Sequence, residues 1–295
     1  MMGLLGVIGG SGLYDIEGLK EIERVSVDTP YGAPSDSFLK AEVQDSGAQI
    51  VFLPRHGRGH RVPPHAINYR ANICGMKKLG VTHVLSISAT GSMKEDISPG
   101  DLVVVDQFID LTKRRASTFF DAGAAAHVAF ADPVCPVMRG RVLEVAQEVV
   151  GALPESGRPG VHDGGTYVCI EGPQFSTRAE SLVYRSWGVD LVGMTNMPEA
   201  KLAREAQLPY ATLALATDYD CWHTSEEDVD VAGVIARLRT MVGHAQRVIL
   251  GLAQTLPDAS ESPAVSALEG AIMTTDSAMP PDVRAQLSWL LEVSR

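Results

Sequence analysis

The sequence predicts an α/β protein, a single domain in which helices flank a central mixed β-sheet. Three observations carry that expectation. Short apolar runs of strand length alternate with segments of helical period along residues 4–252. The first apolar run ends in Gly9-Gly10-Ser11-Gly12, as a buried strand entering a turn would. Apolar residues then recur every three or four positions from Val231 to Leu252, the stripe of one long amphipathic helix.

The elements follow in order. Residues 4–8 and 50–53 read as strands, and 69–79 as a helix. Residues 81–89 form a strand ending in Ala89-Thr90-Gly91-Ser92, and 101–108 form another, entered through Pro99-Gly100. Residues 137–150 are helical in period, 165–170 are a short strand and 176–187 a helix. Residues 190–194 are a strand, 198–206 a helix with proline in its first turn, and 210–216 the last central strand. The helix from Val231 closes a main domain of residues 1–256. Residues 257–295 read as a loop, polar and proline-bounded, and a final helix from Pro280-Pro281-Asp282. That segment packs on the body or on a neighbouring subunit.

Composition narrows the function classes. The 295-residue chain is 45% hydrophobic and 21% charged, enough for an ordinary globular core. Its net charge is −11 and no run of five basic residues occurs, so nucleic acid is not an expected partner. No apolar run of about 18 residues appears, so no membrane span is expected. Residues 1–12 lack the charged region and apolar core of a signal peptide. Cys74, Cys135, Cys169 and Cys221 lack any paired spacing. A cytoplasmic protein with reduced thiols and no cysteine-bound metal is therefore expected.

Ligands of open α/β sheets bind beyond the carboxyl ends of the strands. The polar residues at such ends are Ser11, Arg55 with His56, Ser88 with Ala89, Thr195, and Asp218 with Asp220. They meet at one rim if the strands share a direction. The glycine turn lets main-chain N–H groups approach an anion closely, and Ser11 adds a hydroxyl; a plain tight turn is the other reading. Asp15 stands where a dinucleotide fingerprint needs its third glycine, and no phosphate-loop lysine pattern occurs. Arg55 can grip two oxygens of an oxyanion in a fork, and His56 can donate a further bond. Thr195 and the Ser88-Ala89 turn can complete a cage of phosphate size. His56, His60 and His65 lie close in sequence, but glycines and the cations Arg55, Arg58 and Arg61 crowd that segment. A metal is disfavoured there, which leaves an anion site or a solvated loop.

Asp218 and Asp220 form the other end of the site. A carboxylate accepts from an exocyclic amino group, and in protonated form it donates to a ring nitrogen. The two stand one residue apart after a strand, so they need not point the same way, and capping or a turn is the alternative. An anion cage facing a ring-recognition end is what a phosphorolytic nucleoside-cleaving enzyme needs. A proton shared with N7 helps a purine to leave.

Six motifs in fixed order carry a resemblance. They are Ile8-Gly9-Gly10-Ser11-Gly12-Leu13, Pro54-Arg55-His56-Gly57-Arg58, Asn68-Tyr69-Arg70-Ala71-Asn72, the run from Glu171-Gly172-Pro173-Gln174-Phe175-Ser176 to Glu180, Met194-Thr195-Asn196-Met197-Pro198-Glu199, and Ala216-Thr217-Asp218-Tyr219-Asp220. Over roughly Leu5 to Leu252 the chain resembles the trimeric purine nucleoside phosphorylase family, in its branch acting on methylthioadenosine.

The resemblance implies a fold like that of the family and roles for single residues. Ser11, Arg55, His56, Ser88, Ala89 and Thr195 match phosphate positions, and Met194 matches the residue that packs on the ribose. Phe175 and Ser176 match the purine wall, and Asp218 and Asp220 the base-recognition pair, with Asp218 and His56 as the catalytic candidates. Phosphorylases of 6-oxopurines carry asparagine at the place of Asp218, so aspartate implies a 6-aminopurine. Val231, Val234 and Ile235 match a methylthio pocket, or form the core stripe of their helix, and His127 matches a residue supplied by a neighbouring subunit.

The implied reaction is phosphorolysis of methylthioadenosine to adenine and 5-methylthioribose 1-phosphate, with phosphate as co-substrate and no metal or organic cofactor. The implied partners are the nucleoside, phosphate and further copies of the chain, as a homotrimer or a dimer of trimers. Two other readings stand beside it: a phosphorylase of 6-oxopurine nucleosides or methylthioinosine, and a non-catalytic nucleoside-binding protein.

Overall fold

The structure, a computed structural model, describes residues 3–10, 13, 16–121, 123–223 and 230–291. In chain order the described elements are β1 (Leu5–Gly9), β2 (Leu19–Val25), β3 (Phe38–Val43), β4 (Gln49–Pro54), α1 (Tyr69–Lys78), β5 (His83–Ser92), β6 (Leu102–Val104) and β7 (Gln107–Asp110). Then come α2 (Pro136–Gly151), β8 (Val161–Asp163), β9 (Thr166–Cys169), α3 (Arg178–Ser186), β10 (Leu191–Gly193), α4 (Asn196–Glu205), β11 (Tyr210–Asp218), α5 (Val231–Gln254) and α6 (Pro281–Leu291). The α/β single-domain reading with a mixed sheet holds.

The strands form one sheet, and β5 is its branch point. It pairs in parallel with β1 and β11, and antiparallel with β10. From β1 the sheet runs outward through β4, β3 and β2; from β10 it runs through β9 to β7. Alternate side chains of the central strands feed two apolar layers. Ile8 and Val84 join a layer with Ile73 of α1, Leu202 of α4 and Leu287 of α6. Leu5, Val7, Leu85 and Ile87 join a second with Val142 of α2 and Val248 of α5. Each such side chain contributes about 1.5–3 kcal/mol on burial, so both sheet faces must be covered. The covering of one face by α6 places the carboxyl-terminal helix on the body of its own chain.

Local chemistry explains the helix ends. Thr177 caps α3 with a capping box, in which its hydroxyl and the Glu180 carboxylate satisfy each other's backbone N–H groups. The helix therefore starts at Arg178, two residues later than its apolar period suggests. Asn68 caps α1 through the Ala71 N–H, and Asp230 caps α5 through the Gly233 N–H.

Several expectations change. The run 101–108 is two strands, because the chain exchanges partners: β6 pairs with β11 and β8, and β7 with β9. Strand β5 does not end at Ala89 but continues to Ser92, where β10 pairs against it. The strands also do not share one direction, since β10 opposes β5. Strands β2, β3 and β8 carry no clear sequence signal; β2 is exposed along most of its length. Among the described residues no helix is long and apolar enough to cross a membrane, and no group of three or more His, Cys, Asp and Glu could hold a metal. All four cysteines are buried free thiols.

Helix α1 lies so close to β3 that a Cβ at Gly75 would collide with the Phe38 ring, whereas one at Gly140 in α2 meets nothing within 4 Å. Gly75→Ala should destabilise by about 1–3 kcal/mol. Gly140→Ala should be neutral or stabilising by up to about 1 kcal/mol. Urea midpoints of the two variants against the parent protein check both signs.

Candidate active site

A cavity of about 640 Å³ opens where β1, β4, β5, β10 and β11 converge, with the start of α5 on its far side. Arg55, His56, Ser88, Ala89, Met194, Thr195, Phe175, Ser176, Asp218, Asp220, Val231, Val234 and Ile235 all line it. Ser11 lies outside the described residues, next to Gly10, which is part of the wall. His127 is not part of this wall. It is exposed, and its N–H bonds the Ala271 carbonyl at 2.9 Å.

Hydroxyls dominate one end of the cavity. Ser88 Oγ lies 3.2 Å from Thr195 Oγ1 and 3.4 Å from Tyr167 Oη. Thr195 N–H in turn donates to Tyr167 Oη at 3.3 Å. This cluster forms because β10 runs back along β5, which brings Thr195 beside the middle of that strand rather than beyond its end.

Arg55 does not offer the cavity a free fork. Its guanidinium is buried and already donates to protein oxygens: Nε to Glu199 Oε2 at 2.9 Å, Nη1 to Ile87 O at 3.0 Å, and Nη2 to Ile8 O at 3.0 Å and Ser86 Oγ at 2.6 Å. Burial works against its charge, but Glu199 outweighs that and keeps it protonated. The guanidinium expected from sequence to grip an oxyanion also grips the protein, at the cavity wall.

The His56 ring, expected as a donor, has one nitrogen committed to the protein. Its Nδ1 lies 2.9 Å from the Val62 carbonyl, which can only accept, so Nδ1 carries the proton. Burial and the charge of Arg55 push its pKa down to about 4, so the ring is neutral near pH 7 and Nε2 offers a lone pair. The ring stacks on His60 at 4.2 Å between centroids.

At the other end the two carboxylates face the same cavity after all. A shift of register between Ala216 and Asp218, and a φ of 52° at Asp220, undo the simple alternation of the strand. Asp218 accepts from Thr217 Oγ1 at 2.7 Å and from Asp220 N–H at 2.8 Å. Burial raises the pKa of both acids; the charge of Asp220 adds to the rise at Asp218, while hydroxyls of Ser181 and Ser176 oppose the rise at Asp220. A proton held by such a pair can be shared with a ring nitrogen while the other oxygens accept from an amino group. Gly91 makes the arrangement possible, because a Cβ there would stand 2.9 Å from Asp218 Oδ1 and 3.2 Å from Asp220 Cβ.

The third side is apolar. Val231, Val234, Ile235 and Leu238 present the first two turns of α5 to the cavity. Val231 is 62% exposed and Ile235 44%, so this chain alone leaves that wall partly wet. Phe175, 40% exposed, is also part of the lining.

Sequence reading missed Tyr167, Glu199 and Gly91. Tyr167 and Cys169 alternate with Val168 in β9, a pattern that marks a buried face but not a site. Glu199 had a visible place, three residues after Asn196 in its motif, yet nothing in the sequence names its partner.

A family model described as the phosphorylase superfamily matches residues 4–254. The chain belongs to the phosphorylase superfamily. Relatives in this superfamily include the S-methyl-5′-thioadenosine phosphorylase of Geobacter sulfurreducens, 52% identical over 289 residues that cover 98% of each chain. That of Hyperthermus butylicus is 48% identical and covers 91% of this chain and 95% of the relative. A methylthioadenosine phosphorylase from an antarctic soil metagenomic library has a similar solved structure, with a TM-score of 0.88, 46% identity, and 97% of this chain and 98% of that chain covered. The methylthioadenosine phosphorylase of Schistosoma mansoni, solved in complex with adenine, has a TM-score of 0.79 and 36% identity, with 99% and 98% covered.

Removing Glu199 would leave the Arg55 charge buried without its counter-ion. Glu199→Ala should therefore cost about 3–5 kcal/mol of stability, read as a lowered urea midpoint.

Proposed function

We propose that the protein catalyses the reversible phosphorolysis of S-methyl-5′-thioadenosine to adenine and 5-methylthioribose 1-phosphate. The observation that carries this reading is one cavity with three chemistries: the Ser88–Thr195 hydroxyls, the buried acids Asp218 and Asp220, and the apolar start of α5. The hydroxyls suit a phosphate, the acids a 6-aminopurine, and the apolar wall a methylthio group. A 5′-hydroxyl would find no polar partner on that wall.

In this reading hydrogen phosphate lies beneath the anomeric carbon, held by Ser88, Thr195, Ser11 and backbone donors near Ala89. The bond from C1′ to N9 breaks with its electron pair going to adenine, and a phosphate oxygen bonds C1′. The phosphate charge stabilises the oxocarbenium-like sugar between the two events. Asp218 gives a proton to N7, and the proton that hydrogen phosphate loses on forming the ester restores it. The balance closes with phosphate as co-substrate and calls on no metal or organic cofactor. Met194 and Phe175 confine the sugar and the base. His56 acts as a neutral acceptor, and Arg55 as the anchor of the surrounding segments. The wet face of Val231 and Ile235 supports a homotrimer or dimer of trimers in which a neighbour's His127 closes the apolar end.

Adenine release from methylthioadenosine, with and without phosphate, tests the reading, with inosine and methylthioinosine in parallel. Phosphate-dependent release with little action on the 6-oxo substrates is expected. Cleavage without phosphate would make the protein a hydrolase, and no cleavage of any substrate would leave a binding protein.

Asp218→Asn should lower kcat/KM for methylthioadenosine about 10²-fold and raise it for the 6-oxo substrates. The raised pKa of Asp218 also sets a sign. Its proton persists above the usual carboxyl range and is lost as pH rises, so kcat/KM should fall along that limb. The limb should vanish in Asp218→Asn, which a pH profile of both proteins reads directly.

A further inference from the structure

Arg115 lies outside the cavity wall, yet its side chain is 1% exposed. Its neighbours account for that burial. Nη1 donates to the carbonyls of Met194 at 2.7 Å and Met197 at 2.6 Å, and to Tyr69 Oη at 2.9 Å. Nη2 donates to the carbonyls of Ile170 at 3.3 Å and Glu171 at 2.7 Å. Tyr69 passes the link onward, since its hydroxyl donates to Pro64 O at 3.1 Å. Two hydrogens on Nη1 serve three acceptors, so one of those bonds is shared.

These acceptors have a common feature. Met194 and Ile170 are wall residues, the segment after Glu171 carries Pro173, Phe175 and Ser176 of the wall, and Pro64 lines it beside Gly172 and Met194. Three separate stretches of wall are thus spaced by one planar group. The carboxylate in ion-pair range of Arg115 is that of Glu171, 3.6 Å from Nε, and one of its oxygens already accepts from Lys113 N–H. The buried charge is solvated mainly by main-chain carbonyls, each a charge-assisted bond. A lysine, with three donors at one point, cannot reproduce a fork that spans these separate acceptors.

We infer that Arg115 is a positioning residue for the nucleoside: it sets the distance between the purine-side and ribose-side walls without touching the ligand. The inference rests on the function proposed above.

Its test compares the parent protein with Arg115→Lys and Tyr69→Phe. The second removes one oxygen, and with it both the bond from Arg115 Nη1 and the link to Pro64. Nucleoside KM, phosphate KM, kcat, thermal midpoint and the calorimetric Kd for adenine are measured for each. Arg115→Lys should raise the nucleoside KM and the adenine Kd tenfold or more, and the phosphate KM less. Tyr69→Phe should raise the nucleoside KM about threefold with little change in thermal midpoint. A fall in kcat alone, in step with the folded fraction, would show a merely structural role and overturn the inference. Unchanged nucleoside KM and adenine Kd would overturn it too. If Arg115→Lys does not fold, Tyr69→Phe decides by the same criterion. A parent protein that binds adenine but does not cleave the nucleoside sinks the proposed function alone; the adenine Kd of the variants then decides the inference. A parent protein that does not bind adenine sinks both.

Discussion

A buried guanidinium–carboxylate pair holds the surroundings of the cavity in place. Arg55 stands just past β4, and Glu199 on α4; both side chains are 1% exposed. Through Ile8, Ile87 and Ser86 the same guanidinium fastens β1 and β5. Glu199 Oε1 also accepts from Tyr210 Oη of β11 at 3.0 Å, and Asn196 donates to that hydroxyl and to Thr212. Isolated, either charge would be expensive to bury. Linked in this way, they bind one helix and four strands at the level where the cavity-lining hydroxyls begin. The Ser88–Thr195 contact depends on that alignment, because the two residues come from elements far apart in sequence.

Much of the fold is legible in the sequence where periodicity is strong. The helical spacing of α5 and the apolar run of β11 announce themselves, as does the alternation of strand and helix that makes the sheet mixed and layered. Strand β2 is not legible, because it is exposed and charged and its place comes from pairing with β3. The chemistry of the site is visible in its residue types, but not its orientation. Asp218 and Asp220 share a cavity only through a register shift and a left-handed residue, which no pattern of apolar residues reports.

Arginine is the hardest residue to read. Pro54-Arg55-His56 marks a functional segment, yet the partner that claims the guanidinium lies 144 positions away. Lys113-Arg114-Arg115 is a run of three cations in sequence, and the side chain of its third member is 1% exposed. A planar group with five donors can be satisfied by main-chain carbonyls from several loops, and that is a property of the assembled fold alone.

The neutral state of His56 and the commitment of Arg55 to Glu199 have an electrostatic consequence. An anion in this cavity meets hydroxyls and main-chain dipoles rather than a bare cation. Bonds from hydroxyls and backbone N–H groups to an oxyanion are themselves charge-assisted, so a negative group can be held there without a cation in contact.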